Sequence, residues 1–156
     1  MTGLYNRMGY QKLSISYFTI MREKKMPVLV MFIDLDRLKY INDTFGHEYG
    51  DFAIVSIAKA MLKHCDADAI AARTGGDEFI VLEGAKDEES GRVLAQKIRT
   101  ELSKTQRAMQ LPFDLSASIG AVVAHPGEEN VLESYVKQAE MLMYEEKAEK
   151  KVSRDS

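Results

Sequence analysis

The chain has 156 residues, of which 46% are hydrophobic and 29% charged, and its formal net charge is −3 at pH 7. These values are typical of one modest globular domain, and the acidic balance argues against a nucleic-acid-binding surface, because such surfaces neutralise many phosphates. No apolar run is long enough to span a bilayer and no signal-peptide pattern opens the chain, so we expect a cytoplasmic domain without membrane contact of its own, although the parent protein could be membrane-anchored.

The chain begins with a predicted helix and a predicted buried strand. The helix is expected from Arg7 to Lys25, because the ring of Pro27 disfavours helical geometry in the residue before it. The strand follows over Val28 to Ile33, where apolar residues occupy both faces, as in a central strand covered on either side. Asp34 ends this run, and a carboxylate at such a place needs a hydrogen-bond donor or a cation.

Two helices are predicted next. Asp36 could cap a short helix through Leu38 to Asp43, since its side chain can accept otherwise unpaired amide hydrogens. Asp51 is expected to open a longer helix that ends near His64. Both aspartates therefore have a structural explanation that competes with any functional one.

A hairpin with a double glycine follows. Ile70 to Ala72 and Phe79 to Leu82 are predicted as its paired strands, and Gly75 and Gly76 suit the positive φ values of a tight type I′ turn. By itself this pattern also fits an ordinary hairpin with solvated acids. If Asp77 lies beside the carboxylate that ends the first strand, however, the two form the oxygen-rich kind of site that Mg²⁺ prefers.

The last third of the chain is predicted to contain two helices and a pair of strands. A helix is expected from about Asp87 to Lys104, a strand pair bracketing Leu111 to Val123, and a final helix from Asn130 to about Lys150.

Five segments together resemble the GGDEF family of diguanylate cyclases. They are TGLYNR at 2–7, FIDLDRLKYINDTFGHEYGD at 32–51, the GGDEF signature at 75–79, SIG at 118–120 and AEMLMYEEK at 139–147. The resemblance implies an α+β fold, with a single-layer, mainly antiparallel sheet of βαββαβ order (ferredoxin-like, of the nucleotidyl-cyclase palm type) flanked by helices. It also implies that residues 1–156 are a single GGDEF domain, a fragment of a larger signalling protein with a sensor domain upstream.

The activity implied by the resemblance is the condensation of two GTP molecules into cyclic di-GMP with release of two pyrophosphates. Each domain would hold one GTP, so catalysis would require a homodimer. Two alternatives stay open. One is a catalytically silent GTP-binding module that regulates a partner effector domain, and the other is an interaction domain that binds no nucleotide.

The resemblance also implies a metal site and catalytic residues. Asp34, Asp77 and the backbone carbonyl of Leu35 match the family's ligands for a divalent cation, either Mg²⁺ or Mn²⁺. Asp77 would also help to deprotonate the attacking hydroxyl. Glu78 belongs to the signature and is kept as a catalytic candidate, although strand alternation is expected to place it on the face opposite Asp77. Lys39 completes this group as a basic residue against the phosphates.

Further residues match the family's substrate contacts. Asn42 and Asp51 correspond to the pair that reads guanine, whose N–H donors a carboxylate can accept and adenine lacks. Lys147 and Lys151 lie one helical turn apart, at positions where the family places basic groups against phosphates. A solvated charged helix end would explain these lysines equally simply. Leu38, where the family often has Phe, is included as a substrate contact.

Two departures from the family pattern carry expectations. The product-inhibition site of the family is an Arg-x-x-Asp tetrad, and residues 66–69 read Asp-Ala-Asp-Ala at that place. Asp66 reverses the required charge, so we predict no feedback inhibition through this site, although Arg73 is retained. Lys150 and Lys151 replace a common Gly-Arg pair, and a lysine keeps the charge but lacks the planar fork that grips phosphate.

Overall fold

The computed structural model describes residues 3–125 and 131–155. These residues form, in chain order, α1 (Arg7–Glu23), β1 (Val28–Leu35), α2 (Leu38–Phe45), α3 (His47–His64), β2 (Ile70–Arg73), β3 (Glu78–Gly84), α4 (Ser90–Ala108), β4 (Ala117–Ala124) and α5 (Leu132–Asp155). From β1 to β4 this is the predicted βαββαβ order, with the predicted short helix, α2, before α3. None of the described helices is both long enough and apolar enough to cross a membrane.

The strands form one sheet in the order β2-β3-β1-β4, and all three pairings are antiparallel. Every residue of β1 is buried, which confirms its prediction as the central strand. Its alternate side chains enter two cores. Leu29, Met31 and Ile33 pack with residues of α3 and α4, whereas Val28 and Val30 pack with α1 and α5. A strand covered on both faces shows no polar alternation, which explains the continuous apolar run.

Several element boundaries differ from the prediction. Helix α1 ends at Glu23, before Lys25, which adopts a left-handed φ of 55°. Strand β1 continues to Leu35, two residues beyond the predicted end, because Asp34 pairs with both neighbouring strands and Leu35 with β4. Helix α4 begins at Ser90 and ends at Ala108, later than predicted at both ends. The expected start of the last helix at Asn130 lies outside the described residues.

The predicted strand pair between Leu111 and Val123 is wrong, since β4 is the one strand within that segment of the described chain. The residues before β4 are held by a side chain of α4 instead. Gln106 accepts the N–H of Leu115 at 2.9 Å and donates to Asp114 at 3.3 Å. The N–H of Leu115, which a further strand would use for pairing, is therefore already bonded to a side chain.

The capping predictions for Asp36 and Asp51 are also wrong. Arg37, with a φ of 58°, precedes α2, and no side chain caps that helix. Gly46, with a φ of 103°, ends α2 and begins α3, so α3 starts at His47 and Asp51 lies inside it. A φ in this range suits glycine, which explains how the two helices follow each other directly.

The double-glycine connection is not a type I′ turn. The described glycines with positive φ are Gly3 and Gly46, so neither glycine of the signature adopts the predicted conformation. The connection has four residues, and the amides of Thr74 and Gly75 both donate to the carbonyl of Glu78. The guanidinium of Arg73 donates to the carbonyls of Gly75 and Gly76. The strands on either side pair as predicted.

Buried Glu83 on β3 allows a prediction about pH. Burial, opposed by a hydrogen bond from the Asp66 amide at 2.9 Å, raises the pKa of this carboxyl, and the charges of Asp66 and Asp68 raise it further. Because the folded-state pKa is raised, Glu83 lowers stability as pH rises from its ordinary pKa through its folded-state pKa. We expect Glu83→Gln to raise the melting temperature at pH 8 by a few degrees, with little gain at pH 4.

Exposed Glu23 provides the control for this experiment. Glu23→Gln should leave the melting temperature almost unchanged at both pH values, because water solvates this carboxylate in the folded and unfolded states. Scanning calorimetry at the two pH values would measure both variants. An equal gain for Glu83→Gln at pH 4 and pH 8 would contradict the explanation from the raised pKa.

Candidate active site

Three carboxylates meet where β1 ends and β3 begins. Asp34 and Glu78 are direct partners across the antiparallel pair, and Asp77 precedes Glu78 in the connection. One carboxylate oxygen from each of the three lies within 4.8 Å of the others. The prediction that Glu78 faces away from Asp77 is therefore wrong. Asp77 lies outside the strand, so strand alternation does not govern its direction.

The three acids repel one another. Asp34 is 5% exposed. Burial raises the pKa of Asp34 to about 6; the Lys147 ammonium opposes this rise, and the neighbouring Asp77 adds to it. Burial, followed by the charges of Asp77 and Glu140, raises the pKa of Glu78. Such an arrangement disfavours three negative charges unless a cation lies between them.

Lys147 of α5 supplies a positive charge to this cluster. Its Nζ donates to Asp34 Oδ1 at 2.9 Å and to the carbonyl of Leu35 at 3.1 Å, and lies 3.6 Å from Asp36 Oδ1. Asp34 and Leu35 are two of the predicted metal ligands. A lysine ammonium and a metal ion would thus compete for the same oxygen atoms.

Asp36 is buried next to this site and is fully hydrogen-bonded. It accepts from Ser118 Oγ at 2.6 Å, Ser116 Oγ at 2.7 Å and Lys150 Nζ at 2.7 Å. Burial opposes the charge of Asp36, but the hydrogen bonds from Lys150 and the two serines outweigh it and lower the pKa of Asp36. Asp36 is therefore an ionised partner of α5 rather than a helix cap.

The donor set fits a divalent cation. All the candidate ligands are hard oxygen atoms, which Mg²⁺ and Mn²⁺ prefer. Oxygens bound to one Mg²⁺ at about 2.1 Å lie at most about 4.2 Å apart, so a spread of up to 4.8 Å closes with small side-chain rotations. Asp34, Asp77 and Glu78 could therefore hold such an ion, with the carbonyl of Leu35 beside them.

Asn42 and Gly50 bring α2 and α3 into direct contact. A Cβ atom on Gly50 would lie 1.7 Å from Asn42 Oδ1, so glycine is required for the present position of this amide. Asn42 Oδ1 is buried without a hydrogen-bond partner among the described residues. Asp51 follows Gly50 on α3 and is exposed. An unpaired acceptor next to an exposed carboxylate is a suitable arrangement for N–H donors of a ligand.

The remaining predicted residues contribute less to the observed geometry. Lys39 and Lys151 are exposed, and neither side chain has a hydrogen bond or ion pair with another described residue. Leu38 is half-buried and packs against the core formed with α3 and α4. The roles of these three residues stay predictions.

Comparison with known proteins identifies the family. The family model described as "Diguanylate cyclase, GGDEF domain" matches residues 1–153. The chain belongs to the GGDEF domain family. The crystal structure of the GGDEF domain of PA1120 (YfiN or TpbB) from Pseudomonas aeruginosa has a TM-score of 0.78 and 29% identity, and the match covers 96% of this chain and 93% of that one. This similarity confirms the predicted α+β, palm-type fold.

Two sequence relatives of this GGDEF domain carry different names. Diguanylate cyclase VdcA of Vibrio cholerae is 32% identical over 151 residues, which cover 94% of this chain and 43% of VdcA. Cyclic di-GMP phosphodiesterase NbdA of Pseudomonas aeruginosa is 27% identical over 148 residues, which cover 95% of this chain and 19% of NbdA. The chain thus spans less than half the length of either relative.

Sequence reasoning missed two contacts of the GGDEF domain. In the sequence Lys150 is a departure from the family's glycine, yet in the structure it forms the shortest ion pair to buried Asp36. Its spacing of three residues from Lys147 places both lysines on one face of α5, which was the available signal. Arg73 orders the signature turn through the glycine carbonyls, a role that no spacing in the sequence indicates.

Proposed function

We propose that this GGDEF domain is a diguanylate cyclase that condenses two GTP molecules into cyclic di-GMP and two pyrophosphates across a two-fold dimer. The observation that carries the proposal is the convergence of carboxylate oxygens from Asp34, Asp77 and Glu78 beside the Lys147 ammonium. Membership of a family described as diguanylate cyclases, and a relative with that name, support the same conclusion.

Mg²⁺ or Mn²⁺ would be held by Asp34, Asp77 and the carbonyl of Leu35. When bound, the cation would neutralise charge on the triphosphate and make the attacking hydroxyl a better nucleophile. Asp77, with Glu78 next to it, would accept the proton of that hydroxyl. The three carboxylates repel one another without a cation, so they favour binding of a metal–nucleotide complex over binding of the nucleotide alone.

Lysine side chains would hold the triphosphate. Lys147 already lies at the cluster and needs only to move from Asp34 towards an incoming phosphate oxygen. Lys39 and Lys151 would add charge from exposed positions. The 3′-hydroxyl of one GTP attacks the α-phosphate of the other, and the bond to pyrophosphate breaks. One domain holds one nucleotide, so two domains must bring their sites together, with an upstream sensor domain controlling this encounter in the parent protein.

Product analysis tests the proposal. The domain would be incubated with GTP and Mg²⁺ or Mn²⁺ over a range of protein concentrations, and the products identified by mass spectrometry. We expect cyclic di-GMP and pyrophosphate, with a rate per domain that rises with protein concentration because dimerisation is required. Absence of the cyclic dinucleotide at concentrations that give a dimer would refute the proposal.

A silent regulatory module is the second candidate. NbdA, a relative over 95% of this chain, carries the name of a phosphodiesterase rather than a cyclase. In addition, Lys147 lies against two of the proposed metal ligands, and a lysine that stayed there would exclude the ion. Tight GTP binding without product in the same experiment would favour this candidate. Absence of any GTP binding would favour an interaction domain.

Guanine recognition leads to a prediction at Gly50. Gly50→Ala should leave the domain folded, because the three atoms nearest to the new methyl group all belong to the movable end of the Asn42 side chain and alanine suits a helix better than glycine. The displaced Asn42 amide would no longer meet guanine. We expect the affinity for 3′-deoxy-GTP, measured by calorimetry with Mg²⁺, to fall about tenfold, with a much smaller change for 3′-deoxy-ATP.

Asn42→Ala tests whether the effect passes through Asn42. This variant should lose affinity for 3′-deoxy-GTP to the same extent as Gly50→Ala, and the double variant should lose no more than either single variant. Additive losses would show that Gly50 acts on the nucleotide by another route.

A further inference from the structure

Lys150 of α5 is joined to three different groups. Its Nζ lies 2.7 Å from Asp36 Oδ2, 2.8 Å from the carbonyl of Ala117 and 3.3 Å from Glu146 Oε1. Glu146 is in turn held by Arg99 of α4, at 2.6 Å. The ammonium of Lys150 therefore has its donors directed at a buried carboxylate and at the first residue of β4, and it is fixed by the surrounding protein.

Two lysines of α5 divide two buried carboxylates between them. Lys150 forms an ion pair with Asp36 at 2.7 Å. Lys147 forms an ion pair with Asp34 at 2.9 Å and lies further from Asp36, at 3.6 Å. Asp36 is 5% exposed, so it needs a full positive charge close by. Without Lys150, the nearest described cation would be Lys147, which would be drawn from Asp34 towards Asp36.

We propose that Lys150 is a positioning residue, which neutralises Asp36 and so keeps Lys147 at Asp34, from where it can bind the phosphates of GTP. The inference rests on the proposed function, because it assigns Lys147 to the nucleotide. Lys150 itself does not touch the nucleotide in this proposal. It acts by satisfying the competing carboxylate, at a position where the sequence departs from the glycine common in the family.

The proposal predicts a particular pattern among variants of Lys150 and Asp36. Among the described residues, Lys150→Met leaves Lys147 as the only cation close to Asp36, so the affinity for 3′-deoxy-GTP with Mg²⁺ should fall about tenfold. Adding Asp36→Asn removes the charge that attracts Lys147, so the double variant Asp36→Asn/Lys150→Met should bind within about threefold of the wild type. Lys150→Arg, which keeps the charge, should also bind nearly as tightly as the wild type.

Calorimetric titration of each purified variant with 3′-deoxy-GTP measures these affinities, since this nucleotide lacks the attacking hydroxyl and is not consumed. Lys150→Met should also have no further effect in a Lys147→Met background, because its effect passes through Lys147. Lys137→Met is the matched control, as Lys137 is exposed on α5 and paired only loosely with Glu133 at 3.9 Å. Its affinity should equal that of the wild type.

The outcomes separate this inference from the proposed function. If the wild type does not bind 3′-deoxy-GTP, the proposed function fails and this inference fails with it. If the wild type binds but Asp36→Asn/Lys150→Met binds about tenfold more weakly, Lys150 merely fastens α5 to the sheet and the inference alone is overturned. This comparison can overturn the inference even if Lys150→Met does not fold, because removing both partners of a buried ion pair is tolerated better than removing one.

Discussion

Replacing Gly120 by alanine is expected to be among the most destabilising single substitutions in the chain. Gly120 lies on β4 directly below α5, and a Cβ atom there would lie 2.0 Å from the carbonyl oxygen of Ala139 and 2.5 Å from the amide nitrogen of Met143. Both are backbone atoms of a helix, so no rotamer change relieves the contact. The helix would have to move away from the sheet, and we expect a loss of about 3 kcal/mol or more.

Urea denaturation at equilibrium would measure this loss, and Gly84→Ala provides a control. Gly84 is also a strand glycine, but a Cβ atom there would meet only the Met21 side chain, at an ordinary 3.5 Å. Gly84→Ala should therefore change the free energy of unfolding by less than about 1 kcal/mol. A loss of this small size for Gly120→Ala would contradict the close packing of α5 on β4. Because α5 carries Lys147, nucleotide affinity should fall together with stability.

The strand and helix order could be predicted from the sequence because each element has a local signal. The unbroken apolar run of β1 indicates a strand buried on both faces, and Pro27 marks the end of the helix before it. The false strand near Leu111 arose because that segment is also apolar, while its actual partner, Gln106, is a side chain on α4. Contacts of this kind depend on tertiary structure and have no periodic pattern in the sequence.

The site was predictable to the extent that it depends on family motifs and strand ends. Asp34 lies near the end of β1 and Asp77 lies directly before β3, and these two strands pair, so the two carboxylates converge. The predicted buried strand and the predicted hairpin together indicate this convergence. The role of Asp36 was not predictable, because an aspartate before a helix usually reads as a cap. Its three hydrogen-bond donors come from residues about 80 or more positions away, so only the folded chain reveals them.

The second large effect is expected at Asp77. Asp77→Ala should lower the rate of cyclic di-GMP formation by about 10²–10³-fold, as expected for a group that holds charge at the reacting centre. Stability should change in the opposite direction. Asp77 raises the pKa of Asp34 and of Glu78 in the metal-free protein, so its removal relieves repulsion within the cluster. We therefore expect the metal-free variant to melt at a higher temperature than the wild type.

Metal titration links these two effects. Mn²⁺ should raise the melting temperature of the wild type, because a ligand that binds the folded state stabilises it, and Asp77→Ala should lose most of this increase. Glu133→Ala, which removes an exposed acid elsewhere, should keep both the activity and the Mn²⁺ effect. A residue that merely supported the turn would lower stability with and without metal. A less stable metal-free Asp77→Ala variant with an undiminished response to Mn²⁺ would therefore assign Asp77 a structural role, and the shared cation site of Asp34 and Asp77 would be wrong.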